Sequence, residues 1–199
     1  MSELPLFPVH SVLFPDGRFR LRVFEKRYMD MVTRCIKQET PFGVCLIRAG
    51  HEVGEAAQPS SVGTTANLDE YDMPQTGILH ISVRGGQRFR VLDTRVLADQ
   101  LIMGDTALLP EEPHVDLGST HENLRELLAK ILNEVDGRYY YLPVRLDDAT
   151  WVAYRLAEFL PVSNECGQQV LEQPDPRRKL DILAAQITER EAETSQRFS

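Results

Sequence analysis

Arg18, Arg20 and Arg22 alternate with Phe19, Leu21 and Val23 in a chain whose net charge is −8. A row of guanidiniums on one face of a strand has two uses. It can lie solvated and pair with carboxylates on the next strand. It can also hold an anion or a peptide carboxylate, which the planar fork of arginine fits well. Aromatic side chains flank that row: Phe7 in Leu4-Pro5-Leu6-Phe7-Pro8, Phe14 in Val12-Leu13-Phe14-Pro15, then Phe24 and Tyr28. They either seal a core or, where exposed, build an apolar ligand surface. Phe7, Phe14, Arg20, Arg22, Phe24 and Tyr28 are therefore the candidate contact residues.

Other chemistry is thin. His51-Glu52-Val53-Gly54-Glu55 has the outline of a zinc-protease helix, but the second histidine is missing and Gly54 weakens any helix. The five histidines, at 10, 51, 80, 114 and 121, share no metal-ligand spacing. Cys35, Cys45 and Cys166 form no C-x-x-C pair, which points to reduced thiols and a cytoplasmic setting. No P-loop, no G-x-G-x-x-G after a strand and no G-x-S-x-G elbow occurs. The expectation is a protein without catalytic residues, cofactor or metal.

The elements that must position the candidates follow from periodicity. Gly77 to Asp93 alternates apolar and polar residues on both sides of Gly85-Gly86, which predicts a central β-hairpin reversing at the two glycines. Arg18–Val23, Phe42–Ile47, Val62–Tyr71 and Arg95–Leu109 supply further strands, with a turn over Asp72–Gly77. The prolines of Leu4–Pro8 forbid a helix and allow edge-strand or extended structure only. His51–Ser61 reads as a surface loop. Tyr28, Met31, Val32, Cys35 and Ile36 stand at i, i+3, i+4, i+7 and i+8, an amphipathic helix over about Glu25–Lys37. Six or seven strands with one inserted helix suggest a strongly curved sheet or a closed barrel.

After Pro110-Glu111-Glu112-Pro113, read as a solvated linker, the pattern turns helical. The boundary is placed there, giving domains 1–113 and 114–199. Ser119 and Glu122 form an S-x-x-E capping box ahead of the Leu124–Val135 stripe, and Gly137 stops that helix. Asp147 or Asp148, Ser163 and Asp175-Pro176 begin three more helices. The tail from Glu191 is expected to fray. Tyr139-Tyr140-Tyr141 either packs between the two domains or grips a ligand.

Of the 199 residues, 42% are apolar and 26% charged, ordinary for a globular protein. The acidic balance counts against nucleic acid and anionic membranes as partners. The first residues lack a basic, apolar leader pattern, and no segment approaches the roughly 20 apolar residues of a membrane span.

Leu4-Pro5-Leu6-Phe7-Pro8, Val12-Leu13-Phe14-Pro15, Val23-Phe24-Glu25-Lys26-Arg27-Tyr28, Phe42-Gly43-Val44 and Arg84-Gly85-Gly86-Gln87-Arg88-Phe89-Arg90-Val91 together resemble the N-terminal, substrate-binding domain of Lon-type ATP-dependent proteases. The helical half is similar to the bundle that follows that domain, best at Ala157–Pro161, and cereblon carries a related domain. The resemblance implies an α+β fold, a PUA-like pseudo-β-barrel followed by a C-terminal helical bundle. It also implies binding of unfolded or tagged polypeptide, with an adaptor or modulator of proteolysis as one such role. The 199 residues hold neither the ATPase nor the Ser/Lys protease module, so Lon's own proteolysis is not expected. Arg20 and Arg22 depart from the family pattern, so that face differs in character. Two alternatives stand beside this reading: a small hydrolase or ligand-binding enzyme with its site between barrel and bundle, and PUA-like RNA binding. The oligomeric state is left open.

Overall fold

The alternating runs of the first half become strands of one seven-stranded sheet, with a helix inserted after the second strand. The computed structural model describes residues 2–75, 77–135 and 143–197, and the chain divides into two units, 1–111 and 112–199. The architecture is mixed α+β. The first unit contains β1 (Ser2–Val9), β2 (Arg18–Val23), α1 (Lys26–Gln38), β3 (Phe42–Ala49), β4 (Gln58–Pro59), β5 (Val62–Gln75), β6 (Ile78–Val96) and β7 (Ile102–Leu108). Strands pair in the order β1-β7-β6-β5-β3-β4, and β1 also pairs with β3, so a path through five strands returns to its start. β2 lies off that path and pairs with β6.

Proline does not confine β1 to an outer edge, as the sequence suggested. Residues 2–6 pair with β7 and residues 6–9 with β3. Among the described residues Pro5 pairs with β7 alone and Pro8 with β3 alone, so each proline, which cannot donate to a ladder, has a strand on one side only. Leu6 alone joins both ladders.

Gly85-Gly86 is not a reversal either. Both glycines lie within the 19-residue β6, and the chain reverses between Gln75 and Ile78, with Gly77 at φ 89° in the turn. β5 accordingly runs on through Asp72–Gln75, where a turn was expected. Close approach explains the first glycine: the Asp16-Gly17 turn docks on Gly85 through Asp16 N–H to Gly85 O and Gly85 N–H to Gly17 O, both 2.8 Å. A Cβ on Gly85 would collide with the carbonyl of Phe14.

α1 follows its periodicity, burying Tyr28, Met31, Val32 and Cys35 against β1, β2 and β6. Full burial of side chains such as Met31 and Val32 contributes about 1.5–3 kcal/mol each. A smaller cluster joins Leu4, Leu6, Cys45, Phe89 and Ile102 on the other side of the sheet. Cys45 is fully enclosed, and burial pushes its thiol up to about 12.

The second unit holds α2 (Glu122–Glu134), α3 (Ala149–Phe159), α4 (Asn164–Glu172) and α5 (Pro176–Arg197). Asp148 accepts from Thr150 N–H at 3.0 Å, Ser163 from Cys166 N–H at 3.1 Å and Asp175 from Arg177 N–H at 3.0 Å, so three expected caps form. The capping box does not. Ser119–His121 winds as a 3-10 turn, which makes His121 the residue before α2 and leaves Glu122 paired with Arg125. α5 stays helical through Arg197, past the expected fraying point. Gly137 and the tyrosine run 139–141 lie outside the described residues.

Glu112 overturns its reading as solvated linker. Its carboxylate lies 2.8 Å from the ammonium of Lys179, which is 0% exposed and donates also to Tyr154 Oη (3.0 Å) and the Val170 carbonyl (2.9 Å). Tyr154 donates in turn to Glu112 and lies under the ammonium, 4.6 Å from ring centre to nitrogen. A buried ammonium needs such partners to be tolerated. Among the described residues, no helix is long and apolar enough to cross a membrane.

Candidate functional site

β2 has one hydrogen-bonded neighbour. Its six residues pair with β6 from Arg18↔Arg84 to Val23↔Leu79, and among the described residues no strand pairs with its other edge. A strand so placed leaves about half of its backbone N–H and C=O groups without ladder partners. Along that edge runs an open groove of about 540 Å³. All of residues 19–23 line it. Successive side chains of a strand point to opposite faces, so a cavity touching every one of them follows the strand's edge.

The groove's floor is apolar. Phe19 and Leu21 pack from β2 onto the core cluster. Phe7 and Tyr28 meet beneath them with ring centres 4.2 Å apart, and Val9 adds to the same surface. Burial dominates the environment of the Tyr28 hydroxyl and pushes it up to about 12, with Arg27 pulling in the opposite direction. The rim carries two apolar side chains in solvent, Phe24 at 53% exposure and Val53 at 55%.

The facing wall is a loop held by two carboxylates. Glu52 accepts from His10 N–H at 2.6 Å, and Glu25 accepts from Gly54 N–H at 3.2 Å. Glu25 also pairs with the buried Arg27 at 3.1 Å, whose other nitrogen donates to Gln100 O at 2.9 Å. Both acids are thus engaged in holding the wall.

The arginine row divides. Arg18 lies 3.7 Å from Asp69, which also receives Arg84 at 2.9 Å, and the Asp69 carboxylate raises the Arg84 guanidinium further. Arg20 stands opposite Ser82 and Arg22 opposite His80. Both are exposed, and among the described residues neither has a carboxylate partner.

The structure brings five of the six sequence candidates, Phe7, Arg20, Arg22, Phe24 and Tyr28, to this groove. Phe14 is not among its lining residues; at 2% exposure it is enclosed, so it offers no surface to a ligand. Sequence reasoning missed Val9, His10, Ser11, Glu25, Glu52 and Val53, and read Phe19, Leu21 and Val23 as strand residues only. The failed zinc pattern at 51–55 carried no signal that it forms a wall. Among the described residues, no cluster of three or more His, Cys, Asp or Glu side chains is placed to hold a metal.

Residues 3–189 match the family model described as the ATP-dependent protease La (LON) substrate-binding domain. The crystal structure of a Lon N-terminal domain protein from Xanthomonas campestris aligns with a TM-score of 0.79 at 36% identity, covering 93% of this chain and 98% of that one. The N-terminal domain of the Mycobacterium avium complex Lon protease aligns with a TM-score of 0.70 at 15% identity, covering 94% and 98%, a likeness of fold. Cereblon from Xenopus tropicalis is 29% identical over 114 residues, which are 55% of this chain and 24% of cereblon.

Proposed function

We propose a function for this chain, which belongs to the family of the ATP-dependent protease La (LON) substrate-binding domain: it binds unfolded polypeptide as an extended strand laid in the groove along β2. The observation that carries this reading is that every residue from Phe19 to Val23 lines the groove while that edge of β2 has no strand beside it among the described residues. Main-chain hydrogen bonds to such an edge give affinity without demanding a sequence, and the apolar floor accepts alternate side chains. Hydrophobic burial is non-directional, so it suits loosely specified clients. An adaptor or modulator of proteolysis is the role this binding fits best, and the cyclic strand pairing suits the pseudo-barrel that the family resemblance implies. No comparable observation favours an enzymatic or an RNA-binding reading.

Fluorescence anisotropy of a labelled, permanently unfolded polypeptide tests the proposal, with a folded form of the same polypeptide as control. Saturable micromolar binding of the unfolded form alone is expected. Phe24→Asp places a charge on the rim without disturbing the core and is expected to weaken binding about tenfold, equivalent to about 1.4 kcal/mol. No binding by the parent protein at high concentration, or equal binding of folded and unfolded forms, rejects the proposal.

A further inference from the structure

Resting on the groove reading above, we infer that the preferred client is an extended segment in which apolar residues alternate with Asp or Glu. Charge along β2 is compensated unevenly. Arg18 is matched by Asp69, whereas Arg20 and Arg22 face Ser82 and His80 across the ladder. The next carboxylates on that face are Glu70, opposite Ser82, and Asp72, opposite His80, both on β5. Two strand spacings put them about 9–10 Å from β2, close to one Debye length at 0.1 M salt. The outer side of the β2 edge therefore stays basic.

A strand added to that edge places alternate side chains beside Arg20 and Arg22, where cross-strand opposite charges are favourable and like charges are not. Its remaining side chains point inward to Phe19, Leu21, Phe7 and Tyr28. Glu52 on the facing wall adds negative charge there, Glu25 being matched by Arg27, so an acid is disfavoured at the inward positions and an apolar residue is suited to them. A second β2 is excluded as occupant by the same rule, since pairing copies would set arginine near arginine. An acidic strand of another copy is available: beyond Ala66, β5 pairs among the described residues with β6 alone and carries Asp69, Glu70 and Asp72. Self-association is accordingly an outcome of the test.

The experiment uses three labelled peptides of equal length in which valine alternates with Glu, Ser or Lys over a segment matching the six residues of β2. They are titrated with the full chain at low and high salt, alongside sedimentation of the protein alone. The Glu peptide is expected to bind about tenfold tighter than the Lys peptide, with Ser between and the spread shrinking at high salt. The R20E/R22E double variant is expected to reverse the order while circular dichroism stays unchanged, both side chains being exposed. Equal affinity for the three peptides overturns the inference and leaves the groove reading standing. So does an order that the double variant does not alter. Failure of all three to bind, together with failure of the unfolded polypeptide, overturns both. Self-association that the Glu peptide does not displace overturns the inference in favour of a second copy.

Discussion

Lys179 in the helical unit and Arg20 with Arg22 on β2 are cations in opposite circumstances. Lys179 is enclosed, ion-paired with Glu112 and hydrogen-bonded to Tyr154 and Val170. Arg20 and Arg22 stand in solvent on the rim of a groove and, among the described residues, have no carboxylate partner. A buried charge with every partner supplied has nothing left to offer a ligand, and its removal strands those partners. An exposed charge contributes little to folding and remains free to recognise. The difference gives Lys179 a structural role and makes Arg20 and Arg22 the pair proposed for recognition.

The largest effect expected is on Lys179. Lys179→Ala leaves the Glu112 carboxylate without its cation in a largely enclosed place, and the loss of stability should be about 3–5 kcal/mol. Urea unfolding followed by fluorescence of Trp151, the chain's one tryptophan and part of α3, reads it directly. A loss below about 1 kcal/mol would mean that the buried cation does not hold this unit together.

Burial rather than helix or strand should draw the line, and Cys45 in the first unit checks that. Its folded value is raised from 9.0 to about 12, so below pH 9 the thiol is protonated in both states and adds no pH dependence. Between pH 9 and about 12 the unfolded chain releases a proton that the folded chain keeps, and stability falls as pH rises. Tyr28 acts in the same direction above 10.0. The slope from Cys45 is about 1.4 kcal/mol per pH unit and should be smaller in Cys45→Ala, measured as urea midpoints from pH 8 to 11. Equal slopes in the two proteins would remove Cys45 from the interior in this sense.

Much of this architecture was readable beforehand where the signal was local. Alternation revealed β2, the i, i+3, i+4 spacing revealed α1, and short polar signals marked the caps at Ser163, at Asp175 and at the pair Asp147 or Asp148, of which Asp148 caps. What failed depended on distant partners. Glycine pairs commonly mark reversals, but Gly85 is required by the approach of Phe14, about seventy positions earlier in the chain. Glu112, between prolines, has the composition of a linker until Lys179 supplies its counter-charge. The groove was half visible: the arginines and aromatics of β2 and α1 stood out, whereas its wall joins through contacts 29 and 42 residues apart, Glu25 to Gly54 and His10 to Glu52. No periodicity encodes such contacts.

The central claim is that polypeptide binds along the free edge of β2. Amide hydrogen exchange of residues 19–23, measured with and without a saturating unfolded polypeptide, addresses it most directly. Edge amides not bonded to β6 exchange through solvent and should slow by about tenfold or more when a strand is laid against them. Unchanged exchange along β2 at saturation, with protection elsewhere in the chain, would contradict the account.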